Sequence, residues 1–279
     1  MPGPSKTKRS RKPKHPVFRV RSWAEYLDKV KSPKYNSWAF RGQSDEKWEL
    51  WSTLPRFLGN RGIHSSHWRH QEWRSVEKFQ SRAHHFLQHV PALDDTFQWL
   101  ALMQHHGAPT RLIDFTWSPY VAAFFALENS TTNAAVWAIN GAKITYQDLA
   151  DQALDPHDFD PRRPGILRDR YLRNESDRVV VSEPTILIQR LVAQSGTFAI
   201  PATIERPINE ILSDHPIPDD TIAKFILPKR IRREAIEDLR RMNILNATLF
   251  PGLDGLARSI GYDIEFHWAW DTTKRKPRG

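Results

Sequence analysis

The stretch "HHGAPTRLIDFTWSPYVAAFFALEN", residues 105–129, constrains the fold more than any other part of the chain. Its second half contains "YVAAFFAL", a run with almost nothing polar on any side. A helix that is apolar all round cannot face water, so this one needs cover on every side and must lie inside a layered structure. Ser118 followed by Pro119 marks its start: the serine hydroxyl accepts from a first-turn amide, and proline takes the first helical position, where no amide is needed. The preceding helix reads "TFQWLALMQHH", capped by Asp94 or Asp95 and stopped by Gly107. Thr110 to Trp117 is therefore expected to be irregular backbone between two helices, and it carries Arg111 and Asp114. Polar residues on a loop held by rigid flanks are a common place for function.

Upstream, Ser22 and Glu25 have the Ser-x-x-Glu spacing of a capping box, which predicts a helix over "WAEYLDKV" ending before Ser32-Pro33. A strand is expected at 37–41, with Arg41 at its end and Gly42 and Gln43 behind it. Trp73, Val76, Phe79, Ala83, Phe86 and Val90 recur at three and four residues, predicting one amphipathic helix from Ser66 to Val90 closed by Pro91. Further strands are expected at 134–140, 178–183, 186–200 (broken near Ser195-Gly196) and 224–228. A helix is expected from Arg232 to Met242, and a last one behind Pro251. Residues 141–178, rich in Asp, Arg and Pro, read as an insertion. Helices mainly early and strands mainly late predict an α+β fold: a single domain with one mixed or antiparallel sheet flanked by helices.

The net charge of +9 suggests a nucleic-acid partner until it is divided along the chain. Residues 1–16 hold six Lys/Arg and no acid, and residues 274–279 hold four and no acid, leaving 31 bases against 32 acids between them. The excess sits in two polar tails, 1–16 and 266–279, expected to be disordered on either side of a domain spanning 17–265. Such tails either attract phosphate, reaching a nucleic-acid or protein target, or merely solubilise. The absence of cysteine removes disulfides, thiolate catalysis and cysteine-zinc sites. No apolar run reaches the length of a membrane span and no apolar segment follows the basic N-terminus, so a cytoplasmic protein with no membrane partner is expected.

Phe40-Arg41-Gly42, then "LMQHHGAPTRLIDFTWSPYVAAFFA", "QRLVAQSGTF" and "ILNATLFPGLDGLARSI" occur in order along the chain. On these blocks the sequence resembles the FRG domain family, named for that tripeptide. An Arg-Gly at the end of an early strand further resembles the first motif of the arginine-type ADP-ribosyltransferases. That resemblance implies an ADP-ribosyltransferase-like fold with NAD as substrate. By the same resemblance Arg41, with Gly42 and Gln43, holds the cofactor's phosphates or ribose, and Thr110, Thr116 or Ser118 supplies a small hydroxyl on the nicotinamide side. A later-strand glutamate completes the site in that group; here Gln194 stands in the corresponding block, with Glu183 and Glu205 flanking it. The implied function is transfer of ADP-ribose to nucleic acid or protein, as an intracellular toxin or phage-defence effector. The alternative is a nucleotide- or nucleic-acid-binding module that does not react.

The residues admit this chemistry and a simpler one. Breaking the nicotinamide glycosidic bond builds positive charge on the ribose, which a nearby carboxylate or amide oxygen stabilises. Arginine suits a pyrophosphate because its planar fork binds two oxygens at once, and glycine beside it gives clearance. The competing reading of Arg41 is an ion pair with Asp114 and no ligand. Arg111 divides the same way between ligand and scaffold. His106 is the best general acid or base, or else a polar residue favoured at a helix end. Gln194 bonds a ribose or nicotinamide amide, or satisfies a bulge at Gly196. The candidates Arg41, His106, Arg111, Asp114 and Gln194 are expected to converge on one cleft walled by Trp38 and Trp117. No metal is expected: His64, His67 and His70 share a spacing of three, but no acid joins them and Trp68 and Trp73 crowd them. No phosphate-binding Gly-rich loop and no Gly-x-Ser-x-Gly elbow occurs.

Overall fold

A single seven-stranded sheet organises the computed structural model, which describes residues 14–150 and 155–265 together with a short strand pair, Trp270–Asp271 and Lys276–Pro277. The strands are β1 Val17–Arg19, β2 Ala39–Gln43, β3 Ile113–Thr116, β4 Ala134–Ile139, β5 Val179–Ser182, β6 Gly196–Pro201 and β7 Ile222–Leu227. The helices before the apolar run are α1 Trp23–Val30, α2 Thr53–Gly59, α3 Trp68–Ala83 and α4 Thr96–His105. Those from it onward are α5 Pro119–Leu127, α6 Gly141–Ala150, α7 Gln189–Ala193, α8 Ile208–Ser213, α9 Pro218–Thr221, α10 Arg232–Arg241, α11 Asn246–Leu249 and α12 Leu253–Glu265. The strand order is β1-β7-β4-β2-β3-β6-β5. Only β1 and β7 run parallel; every other neighbouring pair is antiparallel, so the chain is α+β with a mixed sheet.

Helix α5 lies where its composition demands. Ser118 caps it by accepting from the Val121 amide, and its alanines and phenylalanines pack with Phe40, Val136 and Phe225 of the sheet and with Trp23 and Tyr26 of α1. Contact with β2 is backbone-close. A Cβ on Gly42 would stand 2.0 Å from the Ala122 carbonyl oxygen and 2.5 Å from the Ala126 amide nitrogen, so only glycine fits there. The same sheet face, over β6 and β5, is covered by α3 and α4 through Val76, Phe97 and Leu100 against Phe198 and Ile200. The opposite face has one core that crosses the whole sheet, from Trp137 and Ile139 through Ala39 and Ile113 to Ala199, closed by α8.

Four expectations change. The irregular backbone expected at Thr110 to Trp117 contains strand β3: Ile113 and Phe115 point to the continuous core while Asp114 points away, the alternation of a half-buried strand. The strand expected from 186 becomes helix α7 followed by β6, because Ser195 takes a positive φ of 46° and turns the chain. The long helix stops at Ala83; Phe86, in the apolar register beyond it, is 87% exposed and finds no core to bury against. Arg41 lies in the middle of β2 and not at its end. The basic tails fall outside the described residues apart from 14–16 and the strand pair. His15 is buried against Trp137, with Nδ1 2.7 Å from the Ser213 hydroxyl.

Candidate functional site

The middle of the sheet is joined by little. β2 meets β4 over five register pairs and β3 meets β6 over four, yet β2 and β3 share the single pair Phe40 with Thr116. Where the two strands part, the Arg41 guanidinium spans the opening. Its Nη1 donates to the Asp114 carbonyl at 2.6 Å and stands 3.9 Å from the Asp114 carboxylate. Its Nε is buried and makes no hydrogen bond. Burial pulls this guanidinium below the ordinary arginine range; Asp114 opposes the shift and the neighbouring charge of Arg56 adds to it. Arg41 thus feels a second arginine on one side and a carboxylate on the other, and that carboxylate is 56% exposed.

Asp114 is held from the other side by Gln104, near the end of α4, whose Nε2 donates to Oδ1 at 2.8 Å. The Gln104 carbonyl accepts in turn from the Thr110 hydroxyl. Thr110 is fully engaged: its amide donates to the Thr53 hydroxyl, its carbonyl accepts from Thr53 and Leu54, and its hydroxyl accepts from the Leu112 amide. It locks α2 to the entry of β3 and has no hydroxyl hydrogen left for a ligand.

Arg111 turns the opposite way. It is 0% exposed and pairs with Glu72 of α3 through two bonds, Nε to Oε1 at 2.8 Å and Nη2 to Oε2. Its remaining donors reach the carbonyls of Tyr171, Pro201 and Ala202 and the side chain of Asn174. The expected cofactor role is replaced by a buried structural ion pair. Other expected residues are also committed to the fold. Gly42 gives its clearance to α5, and Gln43 bonds the Glu49 carbonyl and the Trp137 indole. The Thr116 hydroxyl donates to the Gln194 carbonyl and accepts from the Ser118 amide, while the Ser118 hydroxyl caps α5. Gln194 directs Nε2 to the Leu249 carbonyl of α11, on the α5 side of the sheet. Trp38 belongs to the α5 core and walls no cleft.

His106 is exposed just past α4. Glu183 follows β5 and accepts from the Trp117 indole at 2.6 Å, with Trp117 43% exposed. Phe115 and Thr197, both buried, stand between Arg41 and Glu183 across the sheet. The structure therefore brings Arg41 and Asp114 together, leaves Glu183 with Trp117 elsewhere, and sends Arg111 and Gln194 into other contacts. Sequence reasoning missed Gln104 and Glu72. Glu72 was visible as the one acid in the 68-72-76 stripe of α3, whose other members, Trp68 and Val76, are buried and apolar.

Residues 36–135 match the family model of the FRG domain, and that segment of the chain is an FRG domain. Arg41, Gln104, Thr110, Arg111 and Asp114 all lie inside it; Glu183 and Gln194 lie beyond it. No curated protein and no solved structure matches the chain. Among the described residues no helix is long and apolar enough to cross a membrane, and no three His, Asp or Glu side chains group as metal ligands.

Proposed function

We propose that the FRG domain of this chain binds a nucleotide carrying a pyrophosphate, of the NAD type, with Arg41 as its anchor. The observation that carries this reading is the under-used guanidinium of Arg41. A partly buried arginine has five N–H donors, and among the described residues this one makes a single hydrogen bond beside a second arginine. A phosphate would supply the missing acceptors and the missing negative charge, bound bidentately. Asp114, oriented by Gln104, is the group to receive a ribose hydroxyl.

A reaction on that nucleotide is the second reading, and one observation favours it: Glu183 is a carboxylate oriented by an exposed tryptophan at the end of a later strand. In this reading the glycosidic bond of NAD breaks, nicotinamide leaves with the bonding pair, and an acceptor on nucleic acid or protein bonds to the ribose carbon. A cytoplasmic toxin or phage-defence role belongs to this reading, with His106 as the proton acceptor. Isothermal titration with NAD and ADP-ribose, run beside an assay of nicotinamide release, tests both. Binding that Arg41→Lys weakens, with no release, supports the binding module. Release that Glu183→Ala abolishes supports transfer. Absence of binding to either ligand overturns the nucleotide reading.

A further inference from the structure

A second basic site stands on the α5 side of the sheet, built by residues other than Arg41 and Asp114. The ring of Phe250, between α11 and α12, has the Arg190 guanidinium carbon 4.8 Å and the Arg258 guanidinium carbon 4.5 Å from its centroid. Phe250 is buried in the α5 core and braced edge-on by Phe125. Among the described residues neither guanidinium makes a hydrogen bond or ion pair. Stacking on an aromatic face fixes the guanidinium plane while leaving its N–H edge free, the orientation that bidentate phosphate contact requires.

The placement is built by the backbone. A Cβ on Gly255 would stand 1.9 Å from the Phe250 carbonyl oxygen and 2.7 Å from that of Asn246, so the glycine lets α12 close on this corner. Arg258 follows one turn later, on the side that faces the ring. Arg190 comes from α7 and lies near the end of α4. The His105 imidazole there is lowered below its ordinary pKa by burial first, then by the charges of His106 and Arg190. Asp254, a turn before Arg258 on α12, is not within ion-pair distance of it.

We propose that Arg190 and Arg258, stacked on Phe250, clamp the phosphate backbone of a single-stranded nucleic acid. A polyanion fits better than one small phosphate because the chain continues from α12 into the basic run Lys274, Arg275, Lys276 and Arg278. Each phosphate engaged by such basic residues adds to the affinity by counterion release. The site is independent of the nucleotide reading at Arg41.

The test is fluorescence anisotropy of the full chain with a labelled oligouridylate across a salt series, with melting temperatures measured on the same samples. Arg190→Ala and Arg258→Ala are each expected to weaken binding roughly tenfold and to lower the salt slope by about 0.7, at unchanged melting temperature. Lys47→Ala, an exposed lysine behind β2, serves as the control for diffuse charge. Losses equal to that control, or no binding at low salt, overturn the clamp. Displacement of the oligonucleotide by pyrophosphate at equal phosphate concentration overturns the nucleic-acid occupant and assigns a free diphosphate. Arg258→Lys, which keeps charge but loses the stacked plane, is expected to keep the salt slope and lose part of the affinity.

Discussion

Arg111 and Arg41 come from the same FRG domain, and both carry an expected ligand role, yet the fold treats them oppositely. Arg111 is sealed from water, meets Glu72 through two bonds, and finds carbonyl or amide oxygens for its other donors. Arg41 has one carbonyl, one distant carboxylate and an idle Nε. An arginine whose donors are all matched is holding the structure; one held in place with donors unmatched is available to something else. The difference lies in partner count and geometry, since residue type and proximity to an acid are common to both.

The comparison breaks most readily at Glu72. Replacing it by Ala leaves Arg111 buried without its counter-charge, and urea unfolding should report a loss of about 3–5 kcal/mol; a change below about 1 kcal/mol would mean that Arg111 is not structural. Gly42→Ala comes next. The added Cβ meets α5 backbone and not a flexible side chain, so a loss of about 1–3 kcal/mol is expected, whereas a stable variant with weakened nucleotide binding would return Gly42 to the ligand. Arg41→Lys keeps a donor for the Asp114 carbonyl, so stability should move by less than about 1 kcal/mol while nucleotide affinity falls roughly tenfold. Unchanged affinity with a lowered melting point would make Arg41 a second Arg111. Smallest of all is Trp117→Phe, which removes one bond to Glu183 at an exposed position and should cost about 0.5 kcal/mol or less in thermal unfolding; a larger loss would show that this pair braces the sheet.

Local signals were legible. The Ser118-Pro119 start of α5, the Ser22 cap of α1 and strands β4 and β7 follow from capping chemistry and apolar runs confined to single segments. The four residues of β3 were not, because Arg111 ahead and Asp114 within gave the stretch the look of a polar loop, and only pairing with β6 makes it a strand. Gln189–Ala193 lies between the apolar runs Ile186–Ile188 and Gly196–Pro201 and so reads as their continuation; its helix follows from good helix formers, the turn at Ser195 and the packing of Leu191. At the site, Arg41 and Asp114 were legible as a pair, and the structure joins them through the Asp114 carbonyl with the carboxylate farther off. Arg111 was unreadable because its partner lies 39 residues earlier in the chain, on a helix whose apolar pattern drew attention to the residues around it.

The solitary bridge between Phe40 and Thr116 gives the sheet a mechanical character that its seven-strand order conceals. It consists of two stiff leaves, β1-β7-β4-β2 and β3-β6-β5, bound to one common core on one side and to separate helix groups on the other. Bending at that bridge is expected to meet the least resistance, much as a book opens more easily than it shears. Arg41 rides on one leaf and the oxygens of Asp114 on the other, so the nucleotide proposed for this site would tie the two leaves together as a clasp. Amide exchange at Phe115 and Thr116, beside the spine, is where the tightening of that clasp becomes measurable.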